Sequence, residues 1–276
     1  MRAAERLAAI YSDLAAAGLP CLVLGGHAVR YFGIDRNTVD YDFHVALPPS
    51  DWQRLPQTLA PLASIRSLEE GPSWRPADFR RFAVGTLEDG RPEYLECWRR
   101  NHLLAPFPEL QERREVGPYG GCQVAFLGLA DLIRSKETER ESDWQDVALL
   151  EEISDQRLAA RAETHAARVT ALASLRSRKG YEDAARRRWL ADTAAVAAAL
   201  HASANPITRA FLTPSAATVA AVASEPSGEL AALIASLTTT APGTARHLAL
   251  VEAVRRLYKR EAMAVDRADK ESALRP

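Results

Sequence analysis

Apolar positions recur at helical spacing at Leu7, Ile10 and Leu14, with Gly18 as a stop signal, so the chain opens on a predicted amphipathic helix. Pro20 introduces Cys-Leu-Val-Leu, short and apolar enough for a buried strand. Residues 27–33 predict a short helix after Gly25-Gly26. From Val39 to Val45 the period falls to two, with apolar and acidic positions alternating, which predicts a strand with one unusual face. Trp52, Leu55 and Leu59 predict a helix, opened by a Ser50/Gln53 capping box. Residues 80–87 and 93–98 are β-prone runs joined through Asp89-Gly90, the mark of a hairpin. Residues 99–121, with Pro106, Pro108 and Pro118, read as irregular. Residues 123–127 read as one more strand. The run from Gly128 to Ile153 reads as two helices broken near Glu141, with Ser142 and Gln145 as a second capping box.

Beyond about residue 155 the pattern changes. Alanine dominates, aromatics thin out and no period of two remains. Pro206, Pro214, Pro226 and Pro242 punctuate what read as helices of about 10 to 20 residues. The predicted fold class is therefore α+β: a small mixed sheet with flanking helices, followed by an all-α region. The expected domains are residues 1–154 and 155–276, and 276 residues suffice for two. No internal repeat is visible.

Composition narrows this only a little. The net charge of −1 excludes a polyanion binder that works through global charge. Cys21, Cys97 and Cys122 are odd in number, widely spaced and without a CxxC pair, so neither a disulfide framework nor a structural zinc site is expected, and a reducing cytoplasm fits best. The first residues lack a signal-peptide core, and no window of 18 uncharged apolar residues exists, so no membrane partner is expected.

The chemistry concentrates in "LVLGGHAVRYFGIDRNTVDYDFHV", Leu22 to Val45. On a strand Asp40 and Asp42 point to one face. Two adjacent carboxylates repel, and burying them unpaired is costly. A divalent cation compensates, Mg2+ first and Mn2+ as an alternative, held by carboxylates, water and substrate phosphates. The bland reading of a lone Asp-x-Asp is a solvated face. A Gly-Gly turn before a helix would let backbone N–H groups approach a phosphate.

These residues have company. Gly25-Gly26, a short helix, then Arg36, Thr38, Asp40, Asp42 and Phe43 resemble the signature of the polymerase-beta-like nucleotidyltransferase superfamily. The wording is most similar to bacterial AbiEii-like abortive-infection toxins and related nucleotidyltransferases. About 90 residues later a second block carries Asp131, Leu132, Ile133, Lys136, Arg140, Asp143 and Asp146, similar to the motif that closes the same domain there. The resemblance covers about residues 5–153. It implies a catalytic third carboxylate on a neighbouring strand. Glu93 and Glu96 are the candidates, and the Leu-Glu-Cys-Trp context selects Glu96, with Glu where the relatives usually have Asp.

The resemblance implies catalytic and metal-binding roles for Asp40, Asp42 and Glu96, and nucleotide binding by Gly25, Gly26, Arg36, Thr38 and Lys136. Lys136 reads either as a triphosphate contact or as an ion pair with Asp146 or an exposed helix lysine. Arg36 and Thr38 read equally as loop-holding residues. His44 and His27 read as packed or surface histidines rather than ligands. Residues 157–188 hold nine basic against three acidic side chains, beside Tyr181 and Trp189. They read as an RNA contact or as a solvated arginine-rich face.

The function implied is Mg2+-dependent transfer of a nucleoside monophosphate from a nucleoside triphosphate to an acceptor, either an RNA end, a protein or a small molecule. In a toxin–antitoxin system the partner would be an antitoxin protein. The alternative is a catalytically inactive nucleotide- or partner-binding module of the same fold.

Overall fold

The computed structural model describes residues 3–214, Ala232 and 243–274. The chain forms two compact units, Met1–Asp146 with Asp266–Pro276, and Val147–Val265. The expected boundary near residue 154 thus falls inside a helix, and the last residues of the chain group with the first unit.

The first unit runs α1 (Ala3–Ala16), β1 (Cys21–Val23), α2 (Gly25–Tyr31), β2 (Tyr41–Val45), α3 (Pro49–Trp52), α4 (Leu55–Leu59), β3 (Glu69–Glu70), β4 (Phe79–Thr86), β5 (Pro92–Trp98), α5 (Phe107–Glu112), β6 (Glu115–Tyr119), β7 (Cys122–Phe126), α6 (Leu129–Ser135) and the start of α7 (Glu141–Ala160). Among the described residues the strands form one mixed sheet in the order β3-β4-β5-β2-β1-β7-β6. β1 pairs antiparallel with β2 and parallel with β7, and β2 pairs parallel with β5. The expected α+β class is what the chain adopts.

Each element has a local cause. Leu7, Ile10 and Leu14 are fully buried along one face of α1, which packs on β1, β6 and β7. Central β1 is buried along its whole length, which explains an apolar run without alternation. In β2, Tyr41, Phe43 and Val45 fill the core on one face while Asp42 and His44 take the other. The β4–β5 hairpin closes through Leu87 N–H to Arg91 C=O at 2.8 Å.

The chain departs from expectation in four places. Residues 99–121 contain α5 and edge strand β6, which pairs antiparallel with β7 although Pro118 interrupts its pattern. β3 is a two-residue edge paired with β4. α2 starts at Gly25 itself, with no turn before it. Neither capping box forms: α3 has no side-chain cap, and Ser142 lies inside α7, where Thr138 Oγ1 receives Arg140 N–H at 3.1 Å.

The second unit holds the rest of α7, then α8 (His165–Ala173), α9 (Arg178–Arg186), a 3-10 turn at Trp189–Ala191, α10 (Thr193–Ala202), α11 (Pro206–Leu212) and most of α12 (Gly243–Leu274). Its core is Leu172, Leu175, Ile207, Phe211, Leu250 and Val254 with small alanines between them. α8, α9 and α11 are shorter than expected, at 7 to 9 residues, α10 has 10, and α12 runs for 32. Pro206 opens α11 behind an Asn205 cap. Pro226 and Pro242 lie outside the described residues. In the basic segment Arg176, Arg178, Lys179, Arg186 and Arg187 each pair with a carboxylate, which offsets much of the local excess.

Candidate active site

Asp42 sits on β2 directly opposite Glu96 on β5, and Glu96 is opposite Arg81 on β4. Opposed residues share a sheet face, so the row reads carboxylate, carboxylate, guanidinium across three strands. Asp40 precedes β2 by one residue and stands beside this row. Arg81 Nε donates to Glu96 Oε1 at 2.6 Å and forms a second contact through Nη2.

The glycine pair has a steric cause. A Cβ at Gly25 would stand 1.9 Å from Asp42 Oδ2, and its φ of +66° also suits glycine. A Cβ at Gly26 would stand 2.4 Å from Thr38 Oγ1. The first turn of α2 is therefore bare where the Asp42 carboxylate and the Thr38 hydroxyl press against it. Sequence reasoning placed these glycines at a turn for phosphate; their side-chain-free surface is first needed to admit Asp42 and Thr38.

Lys136, at the end of α6, is buried with its ammonium 3.0 Å from Asp143 Oδ1 and 3.2 Å from Asp146 Oδ2. Arg36 donates to the other oxygen of Asp146 at 3.1 Å. The second sequence block therefore binds the loop before β2 to α7. Glu93 faces the opposite side of β5, where Arg6 and Tyr41 hold it at 3.3 and 2.7 Å. His27 is buried, bonded to Tyr119 and stacked on Tyr41. His44 is buried against Phe107, and burial lowers its pKa to about 4. Neither histidine lines the cavity described next.

All eight residues singled out in the sequence, Gly25, Gly26, Arg36, Thr38, Asp40, Asp42, Glu96 and Lys136, line one cavity of about 580 Å³ in the first unit. Its other walls were not legible in the sequence. One is aromatic, from Trp74, Phe79 and Trp98. Another comes from the far end of the chain, where Asp266 and Lys270 of α12 join His102 and Arg140. His102 ring nitrogens stand 3.1 Å from Asp266 and from Asp269, and Lys270 reaches Asp266 at 2.8 Å and Glu139 at 3.1 Å. Burial would raise the Asp266 pKa, but bonds from His102, Lys270 and the Glu139 N–H hold it at about 2. Nothing near residue 40 in the sequence could have flagged these residues.

The electrostatics are those of crowded acids. Burial raises the Asp42 pKa well above the usual carboxylate range, the Glu96 charge and hydrogen bond raise it further, and Lys136 only partly opposes them. Burial and Glu96 also raise Asp40, against Arg81 and Arg140. This excess of buried negative charge fits a hard divalent cation, and the donors are all oxygen. Among the described residues no group of three His, Cys, Asp or Glu side chains is arranged as a metal cage. Arg81 holds Glu96. Asp40 and Asp42 fit a cation that takes two protein carboxylates and completes its shell with water and phosphate.

No family model and no curated protein matches the sequence. Among solved structures the chain is similar to an antigenic nucleotidyltransferase-like protein from Paracoccidioides brasiliensis, at 15% identity and a TM-score of 0.37, over 72% of this chain and 93% of that one. So distant a likeness carries no argument about the site, which rests on its own geometry.

Proposed function

We propose that this chain is a nucleotidyltransferase that moves a nucleoside monophosphate from a nucleoside triphosphate to an acceptor hydroxyl. The observation that carries the reading is the convergence of Asp40, Asp42 and Glu96 on one cavity that also holds Lys136 and Arg140. In the reaction the acceptor oxygen bonds to the α-phosphorus, the bond from that phosphorus to the bridging oxygen breaks, and pyrophosphate leaves. Asp40 and Asp42 would hold Mg2+ or Mn2+, with Glu96 joining them on leaving Arg81. The ion, when bound, supplies charge neutralisation at the transferring phosphate.

The chain's own residues do the remainder. Asp42, whose carboxyl pKa burial and the Glu96 charge raise, is suited to take up the acceptor's proton. Lys136, fixed by Asp143 and Asp146, presents a positioned positive charge to the triphosphate. The backbone of Gly25 and Gly26 lines the cavity and lets phosphate oxygens approach, while Arg36 and Thr38 hold the loop before β2. The acceptor is an RNA end, a protein hydroxyl or a small molecule. A toxin role, with an antitoxin partner, is supported by the sequence resemblance.

A second reading has its own observation. Arg81 already neutralises Glu96, as a built-in cation would in a nucleotide- or partner-binding module without turnover. Incubation with each α-labelled triphosphate, Mg2+ and, in turn, total RNA, a protein lysate and small hydroxyl compounds decides between them. Label transferred by the wild type and not by the Asp40→Ala/Asp42→Ala chain supports the transferase. Triphosphate binding without transfer to any pool supports the module.

A further inference from the structure

The cavity wall beside the carboxylates is aromatic, and the strand ladder explains its position. β5 carries Glu96 and Trp98 on one face, and β4 carries Arg81 and Phe79 on the same face. Arg81 is opposite Glu96, and Phe79 is opposite Trp98. The sheet thus presents two rows: Asp42, Glu96 and Arg81, then Trp98 and Phe79 one two-residue stride away, roughly 7 Å along the strands. Trp74, from the segment before β4, closes onto the second row. Its ring centroid is 6.0 Å from Trp98 and 6.2 Å from Phe79, which are 4.3 Å from each other. The Arg75 guanidinium lies 5.3 Å over the Trp74 ring and is anchored to Asp269 at 2.6 Å.

Packing alone does not call for this arrangement. The core-filling rings Trp52, Tyr41, Phe43 and Phe82 are essentially fully buried, whereas Trp74 and Trp98 stay half-buried and line the cavity. Large aromatic surface left open beside a charged row is suited to a ligand that is flat at one end and anionic at the other.

We propose that Trp74 and Trp98, backed by the buried Phe79, form a stacking subsite for the nucleobase of the nucleoside triphosphate. The proposal rests on the nucleotidyl-transfer reading and adds where the base sits. A nucleotide joins its base to its α-phosphate through one ribose, and a single sugar spans a gap of the size set by one strand stride. A base on the aromatic row therefore delivers the phosphates to the carboxylate row. Every base has a π-face, so the wall itself accepts all four.

The test is calorimetric titration and tryptophan fluorescence of the full chain in Mg2+, with ATP, GTP, CTP and UTP and with inorganic tripolyphosphate. All four nucleotides are expected to quench fluorescence and to bind about tenfold more tightly than tripolyphosphate. Trp74→Leu and Trp98→Leu are expected to bring nucleotide affinity down to that of tripolyphosphate and to leave tripolyphosphate binding unchanged. Equal affinities for nucleotides and tripolyphosphate in the wild type would overturn the subsite while leaving the phosphate site standing, and that comparison needs no variant to fold. Quenching by a short RNA lacking a 5′-triphosphate, but not by mononucleotides, would also overturn it and give the wall to the acceptor. Binding of neither class would overturn the nucleotidyl-transfer reading, and the subsite with it.

Discussion

Asp42 and Glu96 face each other in register across the β2–β5 ladder, with Arg81 bound to Glu96 from the next strand. Two acids in that position store unfavourable charge that a metal-bound state would relieve.

Removing one acid should therefore stabilise the metal-free protein. Burial and Glu96 raise the folded-state pKa of Asp42 above its unfolded value near 3.8. Its contribution is fully present below that value and is lost as pH rises through the folded pKa. At pH 7 in chelator, Asp42→Asn should melt higher, by roughly 2–4 °C per kcal/mol relieved, and should show a flatter decline of melting temperature above pH 4. An unchanged or lower melting temperature would contradict the crowding of acids described here.

A divalent cation held as proposed would compete with Arg81 for the same carboxylate charge. Arg81→Met should free Glu96, lower the stability of the metal-free protein and tighten Mn2+ binding by about tenfold, since one neighbouring positive charge is lost. Calorimetric titration with Mn2+ reads this directly. Unaltered affinity would mean that the ion binds elsewhere.

Lys136 has two separable duties. Lys136→Met leaves Asp143 and Asp146 buried without their ammonium, and a loss of about 3–5 kcal/mol is expected in urea unfolding. Lys136→Met/Asp143→Asn should recover part of that stability. If triphosphate binding stays weak in the double variant, Lys136 acts on the ligand; if binding recovers with stability, its role is only to hold the wall.

In the helical unit, Asp155 accepts from the Ser177 N–H at 2.7 Å, the Ser177 hydroxyl at 2.6 Å and the Arg176 N–H at 3.2 Å. Burial raises its pKa to about 6, with the Ser177 and Arg176 bonds opposing. Because the folded value exceeds the unfolded one, this group's stabilisation falls as pH climbs from about 4 to about 6. Asp155→Asn should remove that slope from a pH series of denaturant midpoints. Asp155→Ala should cost about 2–4 kcal/mol at pH 4 by stranding its donors, and less as pH rises past about 6. A slope that persists in Asp155→Asn would assign the titration to another group.

The carboxylate pair, the glycine pair and Lys136 were legible because their chemistry is local. A period of two puts Asp40 and Asp42 on one side of the chain and Glu93 and Glu96 on opposite faces of one strand, while the choice of Glu96 came from the resemblance of Leu-Glu-Cys-Trp to the relatives' pattern. The buried helix face of α1, the apolar β1 and the β4–β5 hairpin were equally plain, since each repeats a pattern over neighbouring residues. Edge strand β6 was not, because an edge needs few ladder bonds and tolerates the Pro118 that breaks its pattern. The second capping box failed because α7 begins at Glu141, ahead of Ser142, and Thr138 rather than Ser142 meets its first turn.

The sequence by itself thus determined the elements around the acidic row and that two carboxylates lie within it. Only the tertiary structure decided who stands beside them. The sheet order brings Glu96 and Arg81 next to Asp42 from some 40 to 55 residues away, the ladder register sets Trp98 and Phe79 one stride further, and α12 returns Asp266 and Lys270 to the same cavity. Strand order and register are fixed by the summed burial of whole faces, a property of the packed chain that no short window of residues contains.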